Sequence, residues 1–279
     1  MRAEPVTGPV AFHGEGPVWS PRWGGLHWVD MLAGDVLALG ADGAVARRHV
    51  GEVAAALRPR LGGGAVIGVR RGFALEEPDG ALRELPELWS GDEVRMNDGG
   101  CDPDGRFYCG SMAYDHRTGA GALYRLSPDG SVDVVLEAVT ISNGLEWSPD
   151  GSRAYYVDTP TREISVFAYD AEAGLHDRRT FARTDALPDG LTVDAEGGVW
   201  VALYDGRAVQ RHGPEGALDA RVDVPAGGVT ACTFGGEDLG RLFITTSRES
   251  LAPGEEPAAG SLYAAEVGVR GLAAREFAG

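Results

Sequence analysis

Four polar residues occupy the same position in four similar segments of the chain. Asn97, Asn143 and Asp189 each lie eight positions before a turn glycine, and Glu15 begins a segment of the same spacing without that glycine. Asp98 lies beside Asn97. Carboxylate and amide oxygens are hard ligands that suit Ca²⁺, Mg²⁺ or Mn²⁺, and Zn²⁺ also accepts them. If the fold brings these positions together, they form a site for a divalent cation.

Each of these residues, taken alone, has a simpler explanation. Asn143-Gly144 is a common turn dipeptide, and Pro188-Asp189-Gly190 resembles the other Pro-Asp-Gly turns of the chain. A glutamate beside a glycine, such as Glu15, usually lies on a solvated loop. Asp189 differs because its segment already has the expected turn at Ala195-Glu196-Gly197. The inference of a site therefore depends on the position that all four residues share.

A repeat of short strand cores predicts how these residues are positioned. The steps between successive cores are 39, 41, 48, 44 and 43 residues, which is the period of a four-stranded propeller blade. We predict an all-β fold, a single six-bladed β-propeller domain over residues 1–279 whose ring is closed by the two chain ends. A looser stretch at Pro253 to Gly260 is expected to be a loop. The six cores begin at Trp28, Ile67, Tyr108, Tyr156, Trp200 and Phe243.

The propeller fold explains why a shared position matters. The innermost strand of each blade lines the central channel, so residues at one position of different innermost strands converge on one point of the axis. Glu15, Asn97, Asn143 and Asp189 would meet there. The two carboxylates would repel each other without a cation and would neutralise a divalent ion.

Composition excludes several classes of function. The net charge of −17, from 42 acidic and 25 basic residues, would repel phosphate, so no nucleic-acid partner is expected. The chain contains no lysine, which excludes a Schiff-base lysine and a P-loop lysine. It also lacks an apolar stretch long enough to cross a membrane and a signal-peptide pattern, so we expect a cytoplasmic protein without a membrane partner. The three cysteines are expected to be small buried hydrophobic residues.

The histidines and serines do not indicate a catalytic site of their own. The six histidines share no ligand spacing and are expected mainly at surface or packing positions. A location of His13 and His116 near the channel mouth is the less favoured alternative. A serine hydrolase is disfavoured because the Gly-x-Ser-x-Gly pattern is missing from the sequence.

Several segments, in order along nearly the whole chain, resemble the gluconolactonase and regucalcin family, also called the senescence-marker-protein family. This resemblance implies a six-bladed propeller whose metal is bound by Glu15, Asn143 and Asp189. It also implies that Arg95 and Asn97 contact the substrate. The matching segments are Gly14–Trp19, Arg95–Gly99, Ile141–Ser148, Pro188–Gly197, Trp200–Ala202, Thr230–Gly236 and Phe277–Gly279.

The resemblance leaves one substrate contact open. Relatives have a longer, lid-like loop with a substrate-binding acid where this chain has Tyr114 to Gly121. The loop here is shorter, and Asp115 is the candidate for that acid. The preferred substrate size, the oligomeric state beyond a monomer or weak homo-oligomer, and the metal used are left open, with Ca²⁺ favoured over Zn²⁺, Mn²⁺ or Mg²⁺.

The chemistry expected is metal-dependent hydrolysis of a small lactone, preferably a sugar lactone, to the hydroxy acid. The metal would polarise the carbonyl and lower the pKa of a bound water, with Asp189 as general base. Arg95 and Asn97 suit the hydroxyls or carboxylate of a sugar acid. Alternatives on the same scaffold are a paraoxonase-like esterase, a non-enzymatic calcium-binding or regulatory propeller and, least favoured, a propeller used only for protein docking.

Overall fold

The computed structural model describes residues 1–252 and 254–279, which contain 24 β-strands in six four-stranded antiparallel sheets. Each sheet is one blade of a six-bladed β-propeller, which confirms the predicted fold. All six predicted strand cores lie in the second strand of a blade, counted from the channel outwards. The repeat in the sequence therefore corresponds to the repeat of blades.

The blades follow the chain order, and each runs from its innermost to its outermost strand. Blade 1 contains β2 (Gly14–Ser20), β3 (Gly25–Asp30), β4 (Asp35–Leu39) and β5 (Val45–His49), and blade 2 contains β6 (Ala54–Pro59), β7 (Ala65–Val69), β8 (Gly72–Glu76) and β9 (Leu82–Glu84). Blade 3 contains β10 (Val94–Cys101), β11 (Phe107–Ala113), β12 (Gly121–Leu126) and β13 (Val132–Val139), and blade 4 contains β14 (Ser142–Trp147), β15 (Arg153–Asp158), β16 (Glu163–Asp170) and β17 (Gly174–Arg183). Blade 5 contains β18 (Pro188–Val193), β19 (Val199–Leu203), β20 (Ala208–His212) and β21 (Leu218–Asp223).

Blade 6 is built from both ends of the chain. Its inner three strands are β22 (Val229–Gly235), β23 (Arg241–Thr246) and β24 (Ser261–Glu266). Its outermost strand is β1 (Glu4–Pro9), which pairs antiparallel with β24, so that Glu4 lies opposite Ala264. This pairing closes the ring as predicted and leaves no gap between the first and last blades.

Helical structure in the described residues is limited to three short 3₁₀ turns, at Pro21–Trp23, Met31–Ala33 and Thr159–Thr161. None of these has the length or hydrophobicity that crossing a bilayer requires. Pro253 of the predicted Pro253–Gly260 loop lies outside the described residues, and residues 254–260 form turns. Cys101, Cys109 and Cys232 are buried and unpaired, as expected.

Large aromatic side chains fill the space between neighbouring blades. Trp147 of blade 4 packs at 5.3 Å between ring centroids against Tyr108 of blade 3, and Trp200 of blade 5 packs at 5.9 Å against Phe234 of blade 6. Burial of such side chains is the main source of stability in a ring of sheets that share few backbone hydrogen bonds. The blades are therefore fixed relative to one another, and so are the residues on their innermost strands.

The residues that follow Asn143 and Asp189 must be glycines. A Cβ added at Gly144 would lie 2.6 Å from the backbone nitrogen of Leu191 on β18, and one added at Gly190 would lie 2.5 Å from the Cβ of Ala231 on β22. The innermost strands thus approach each other too closely near the axis for any larger residue. The Asn-Gly and Asp-Gly pairs are strand residues here, although the same pairs are turn signals elsewhere.

The C-terminal segment crosses the end of the channel opposite to the polar residues. The N–H of Gly271 donates to Leu239 O of blade 6 at 2.8 Å, and the N–H of Phe277 donates to Pro59 O of blade 2 at 2.8 Å. Residues 272–275 line a cavity of about 220 Å³ there. Phe277 is 1% exposed and belongs to the core beneath blades 1 to 3.

Candidate functional site

A cavity of about 430 Å³ opens at the other end of the channel, where the innermost strands begin and the second strands end. Glu15, Asn97, Asn143 and Asp189 all line it, which is the convergence that their shared position predicts. Each of the four is at most 5% exposed. The remaining lining residues are His13, Arg95, Met112, Tyr114, His116, Ile141, Thr159, Leu187, Tyr204, Glu249 and Ser250.

A backbone irregularity occurs at this level in all six innermost strands. The pairing register between innermost and second strand shifts between Glu15 and Val18, and an equivalent shift accompanies Asn97, Asn143 and Asp189. The two remaining blades have the same shift and carry Ala55 and Thr230 there. Such bulges turn a side chain away from the regular alternation of a strand. The register shift occurs in all six blades, whereas the side chain at that position differs from blade to blade.

Two buried oxygens in this group have no hydrogen-bond partner among the described residues. They are Asn143 Oδ1 and Asp189 Oδ1. The amide nitrogen of Asn143 donates to Thr159 Oγ1 at 3.0 Å, and that hydroxyl donates to Pro188 O at 2.8 Å. This chain of bonds fixes the amide so that Oδ1 is left for another ligand. A buried acceptor without a partner is costly, and a cation would satisfy both oxygens.

The charges of these residues also favour a bound cation. Burial raises the pKa of Glu15 well above its usual value, and the negative charges of Asp189 and Asp98 raise it further. Burial also raises the pKa of Asp189, with a further contribution from Asp98. These carboxylates are thus deprotonated at little cost only when a positive charge lies between them.

The residues present fit a divalent metal on chemical grounds. Glu15 and Asp189 supply two carboxylates and Asn143 supplies an amide oxygen, a donor set that suits a hard cation. Across residues 1–252 and 254–279, no group of three or more His, Cys, Asp or Glu side chains is placed to hold a metal. The fit therefore depends on the amide of Asn143 as the third ligand.

Asp98 belongs to the channel but lies outside the set that lines the cavity. Its Oδ1 accepts a hydrogen bond from the N–H of Gly99 at 2.7 Å. Burial raises the pKa of Asp98, and the guanidinium of Arg58 opposes that shift. Asp98 therefore acts on Glu15 and Asp189 through its charge, although it does not line the cavity.

Arg95 and Asn97 form a connected pair on β10. Arg95 Nη1 donates to Asn97 Oδ1 at 2.6 Å and to Met96 O at 3.0 Å, and Asn97 Nδ2 donates to Ser142 O at 2.9 Å. The guanidinium also lies 5.7 Å from the centroid of the Tyr114 ring. Arg95 Nε is buried and has no acceptor among the described residues. Three hydrogen bonds hold the pair in place, and the N–H of Arg95 Nε is left without a protein acceptor among the described residues.

His13 and His116 both line the cavity, so the less favoured alternative for these two histidines is correct. His13 Nδ1 lies 2.7 Å from Ser247 Oγ, and His13 Nε2 lies 4.0 Å from Glu15 Oε1. Burial, with a smaller contribution from Arg95, lowers the pKa of His13 to about 3. The ring is therefore an uncharged neighbour of Glu15 at neutral pH.

Three aspartates hold the segments that lead into the three candidate metal ligands. Asp30 accepts hydrogen bonds from the N–H groups of residues 12 and 13, two to three positions before Glu15. Asp158 does the same for residues 140 and 141 before Asn143. Asp205 accepts from the N–H of residue 187, before Asp189, at 2.6 Å. Charge-assisted bonds of this kind fix the start of each ligand strand.

The short loop at residues 114–121 places its acid outside the cavity. The Asp115 side chain is 61% exposed, and Oδ2 lies 3.3 Å from Arg117 Nη1. Tyr114 and His116, on either side of it in sequence, line the cavity instead. Asp115 therefore does not take the position that a substrate-binding acid requires. The carboxylate that does line the outer part of the cavity is Glu249, which follows β23.

The sequence pattern described as the SMP-30/gluconolactonase/LRE-like region matches residues 13–248, which contain all of the candidate metal and substrate residues. The chain belongs to this family. The match confirms the family predicted from the sequence.

Members of the SMP-30/gluconolactonase family resemble the chain over nearly its full length. A 6-deoxy-6-sulfogluconolactonase of Pseudomonas putida is 37% identical over 276 residues, which cover 95% of each chain. A pentonolactonase of Haloferax volcanii is 36% identical and covers 92% of each chain. A solved structure described as a calcium-binding protein, regucalcin, from Agrobacterium tumefaciens superposes with a TM-score of 0.90 at 29% identity, over 98% of this chain and 95% of that chain.

The spacing repeat in the sequence did not identify several residues that line the cavity. These residues lie just after the second strands of the blades. Tyr114, Thr159 and Tyr204 each follow the last residue of a second strand, and Glu249 lies three positions after β23. An alignment of the blades on the ends of their second strands, in addition to the starts of the innermost strands, would have identified them.

Proposed function

We propose that the chain is a metal-dependent lactonase that hydrolyses a sugar lactone to the hydroxy acid. One observation carries the proposal: an oxygen-donor set of Glu15, Asn143 and Asp189, with two buried oxygens left without partners, shares one cavity with the Arg95–Asn97 pair. Relatives named as lactonases cover the chain almost end to end. Ca²⁺ is the preferred ion, because the donors are all hard oxygens.

Glu15, Asn143 and Asp189 would hold the cation, which supplies a Lewis acid for the lactone carbonyl. We assign Asp189 as general base. Its carboxylate accepts a proton from the attacking water as the water oxygen bonds to the carbonyl carbon. When the ring C–O bond breaks, the same proton returns to the leaving oxygen and gives the hydroxy acid. Atoms and charges balance without a covalent enzyme intermediate.

Arg95 and Asn97 bind and orient the substrate in this proposal. Arg95 lines the cavity and its Nη1 is fixed by Asn97 Oδ1, so the guanidinium is already held in place beside the substrate position. An oriented donor stabilises negative charge on a substrate oxygen without further reorganisation. Asn97 retains a second lone pair and a second N–H for a hydroxyl group. A polyhydroxy substrate matches these groups better than an apolar ester does.

The test is to remove bound metal with a chelator and to follow proton release from five- and six-membered aldonolactones while each divalent metal is added back. Metal-dependent hydrolysis with a preference among the lactones is the expected result. Tight metal binding without turnover of any lactone would contradict the proposal and would favour a regulatory calcium-binding propeller. That second candidate is supported by the solved relative described as calcium-binding.

A further inference from the structure

Glu249 is the carboxylate in the outer part of the cavity, and a backbone hydrogen bond places it beside His13. Its backbone N–H donates to Ser247 Oγ at 3.0 Å, and its Oε2 lies 3.3 Å from His13 Nδ1. The side chain remains 36% exposed, so the carboxylate faces solvent within the cavity as well as the imidazole. The backbone of Glu249 is therefore anchored, while its carboxylate stays accessible in the cavity.

Ser247 connects the two partners of Glu249. Its hydroxyl is 1% exposed, accepts from the N–H of Glu249 and lies 2.7 Å from His13 Nδ1. His13 is anchored in turn, because its N–H donates to Asp30 Oδ1 at 2.9 Å. The position of Glu249 is therefore set by buried groups of blades 1 and 6.

The charges of the cavity divide into two sets. A divalent cation would neutralise the carboxylates of Glu15 and Asp189, which leaves Arg95 and Glu249. Burial lowers the pKa of Arg95, and the charge of Glu249 opposes that shift, so the two groups act on each other within the cavity. Among the residues that line the cavity, Arg95 thus offers a positively charged donor and Glu249 a negatively charged acceptor to the substrate.

We propose that Glu249 determines the charge selectivity of the cavity: it accepts hydrogen bonds from the hydroxyls of an uncharged polyhydroxy lactone and disfavours a lactone that carries an anionic substituent. The proposal rests on the proposed lactonase function and narrows its substrate class. The guanidinium of Arg95 by itself would attract a carboxylate or sulfonate of the substrate. With Glu249 in place, such a group meets a like charge.

The experiment compares kcat/KM for D-glucono-1,5-lactone, which is uncharged, and D-glucaro-1,4-lactone, which carries a carboxylate. We expect the wild-type protein to prefer the uncharged lactone. In Glu249→Gln, the ratio of the two values should shift by about tenfold toward the anionic lactone, as expected when a like charge a few ångström away is removed from a partly solvated cavity. The value for the uncharged lactone should fall only a few-fold, because glutamine keeps an acceptor. An unchanged ratio would overturn the proposal.

Two further variants separate this role from a general effect of charge or packing. Glu237→Gln removes the same charge from the exposed turn between β22 and β23, at the other end of blade 6, and should leave the ratio unchanged. Ser247→Ala removes the hydroxyl that positions Glu249 and should shift the ratio in the same direction by less. Metal content should be unchanged in Glu249→Gln; loss of the metal would assign Glu249 to the metal site instead and would overturn the proposal.

Failure of the proposed function gives a different result. If the wild-type protein hydrolyses neither lactone with any metal, the dissociation constants of both can be measured by calorimetry on freshly dissolved lactone, with the heat of spontaneous ring opening subtracted. A ratio of dissociation constants that shifts by about tenfold in Glu249→Gln would then support the role of Glu249 in binding, by the same like-charge argument. A ratio that does not shift would overturn it.

Discussion

Blades 1, 4 and 5 differ from blades 2, 3 and 6 although all six have the same backbone. Each innermost strand has a register shift at the level of the cavity, yet within residues 1–252 and 254–279 only blades 1, 4 and 5 combine a candidate metal ligand with an aspartate that anchors the preceding segment. Blade 2 carries Ala55 at that position, blade 3 carries Asn97 and blade 6 carries Thr230. The repeated fold thus places one equivalent position of each blade near the axis, and the side chain at that position determines whether the blade carries a candidate metal ligand.

In the proposed function, two of the other three blades contribute to substrate recognition instead. Blade 3 supplies Arg95 and Asn97, and the connection after β23 in blade 6 supplies Glu249. Arg95 contacts Met31, which follows β3 of blade 1, and Glu249 lies near His13, which precedes β2 of the same blade. Metal binding and substrate binding are therefore assigned to separate blades, and variants should affect them separately.

The largest expected effect is at Asp189. Asp189→Ala removes a metal ligand and the proposed general base, so turnover should fall by about 10³-fold or more, and metal content should fall with it. Metal analysis of the purified variant and a lactone hydrolysis assay check both. Asp189→Asn is the matched variant, because an amide can still bind the metal, as Asn143 would, but cannot accept the proton. A variant with normal rates would contradict the mechanism.

Arg95→Ala should affect substrate use while the metal stays bound. Loss of a charge-assisted donor is expected to lower kcat/KM by about 10- to 100-fold. Metal titration of the variant should match that of the wild-type protein. If Arg95→Ala lost the metal instead, the division of roles between blade 3 and blades 1, 4 and 5 would be wrong.

Asp158→Ala tests the anchors of the ligand strands. It leaves two backbone N–H groups, of residues 140 and 141, without their acceptor, and metal affinity should fall by about 10-fold because Asn143 is less well positioned. Asp170→Ala is the control, because Asp170 also accepts from two backbone N–H groups but lies in an exposed turn of the same blade. Equal effects of the two substitutions on metal affinity would contradict the anchoring role.

The smallest effect on activity is expected at the opposite end of the channel. Phe277→Ala removes a fully buried ring from the core beneath blades 1 to 3 and should lower the free energy of unfolding by about 3–5 kcal/mol. The specific activity of the folded fraction should stay unchanged, because Phe277 lies outside the residues that line the cavity. Denaturant titration and an activity assay at low temperature measure the two quantities.

The sequence predicted those features that repeat. The strand cores at Trp28 and Trp200, and the ligands Asn143 and Asp189, recur at nearly constant spacing because every blade satisfies the same packing requirements. Contacts that occur once could not be predicted this way. Glu249 lies in a connection without a counterpart of similar length, and its contact with His13 depends on closure of the ring.

The register shifts and anchors were missed for a different reason. A bulge changes the direction of a side chain without changing the sequence spacing from Asn143 to its turn glycine, so alignment does not reveal it. Asp30 and Asp158 are the last residues of β3 and β15 and stand in the strand cores, but their hydrogen bonds to the preceding segments are visible only in three dimensions. Asp205 also anchors the segment before a candidate ligand, but it lies two positions after the end of β19. It therefore does not align with Asp30 and Asp158 when the blades are compared in sequence.

Closure of the ring by β1 has a consequence for how the chain matures on the ribosome. β1 precedes blades 1 to 5 in the chain, whereas its partner β24 follows them, so the edge of β1 is left unpaired while these five blades are synthesised. The same late event brings Glu249 against His13 and Thr230 Oγ1 within 2.6 Å of Gly14 O. Nascent chains should therefore lack these contacts until blade 6 is complete, and an interrupted chain would expose an unpaired strand edge.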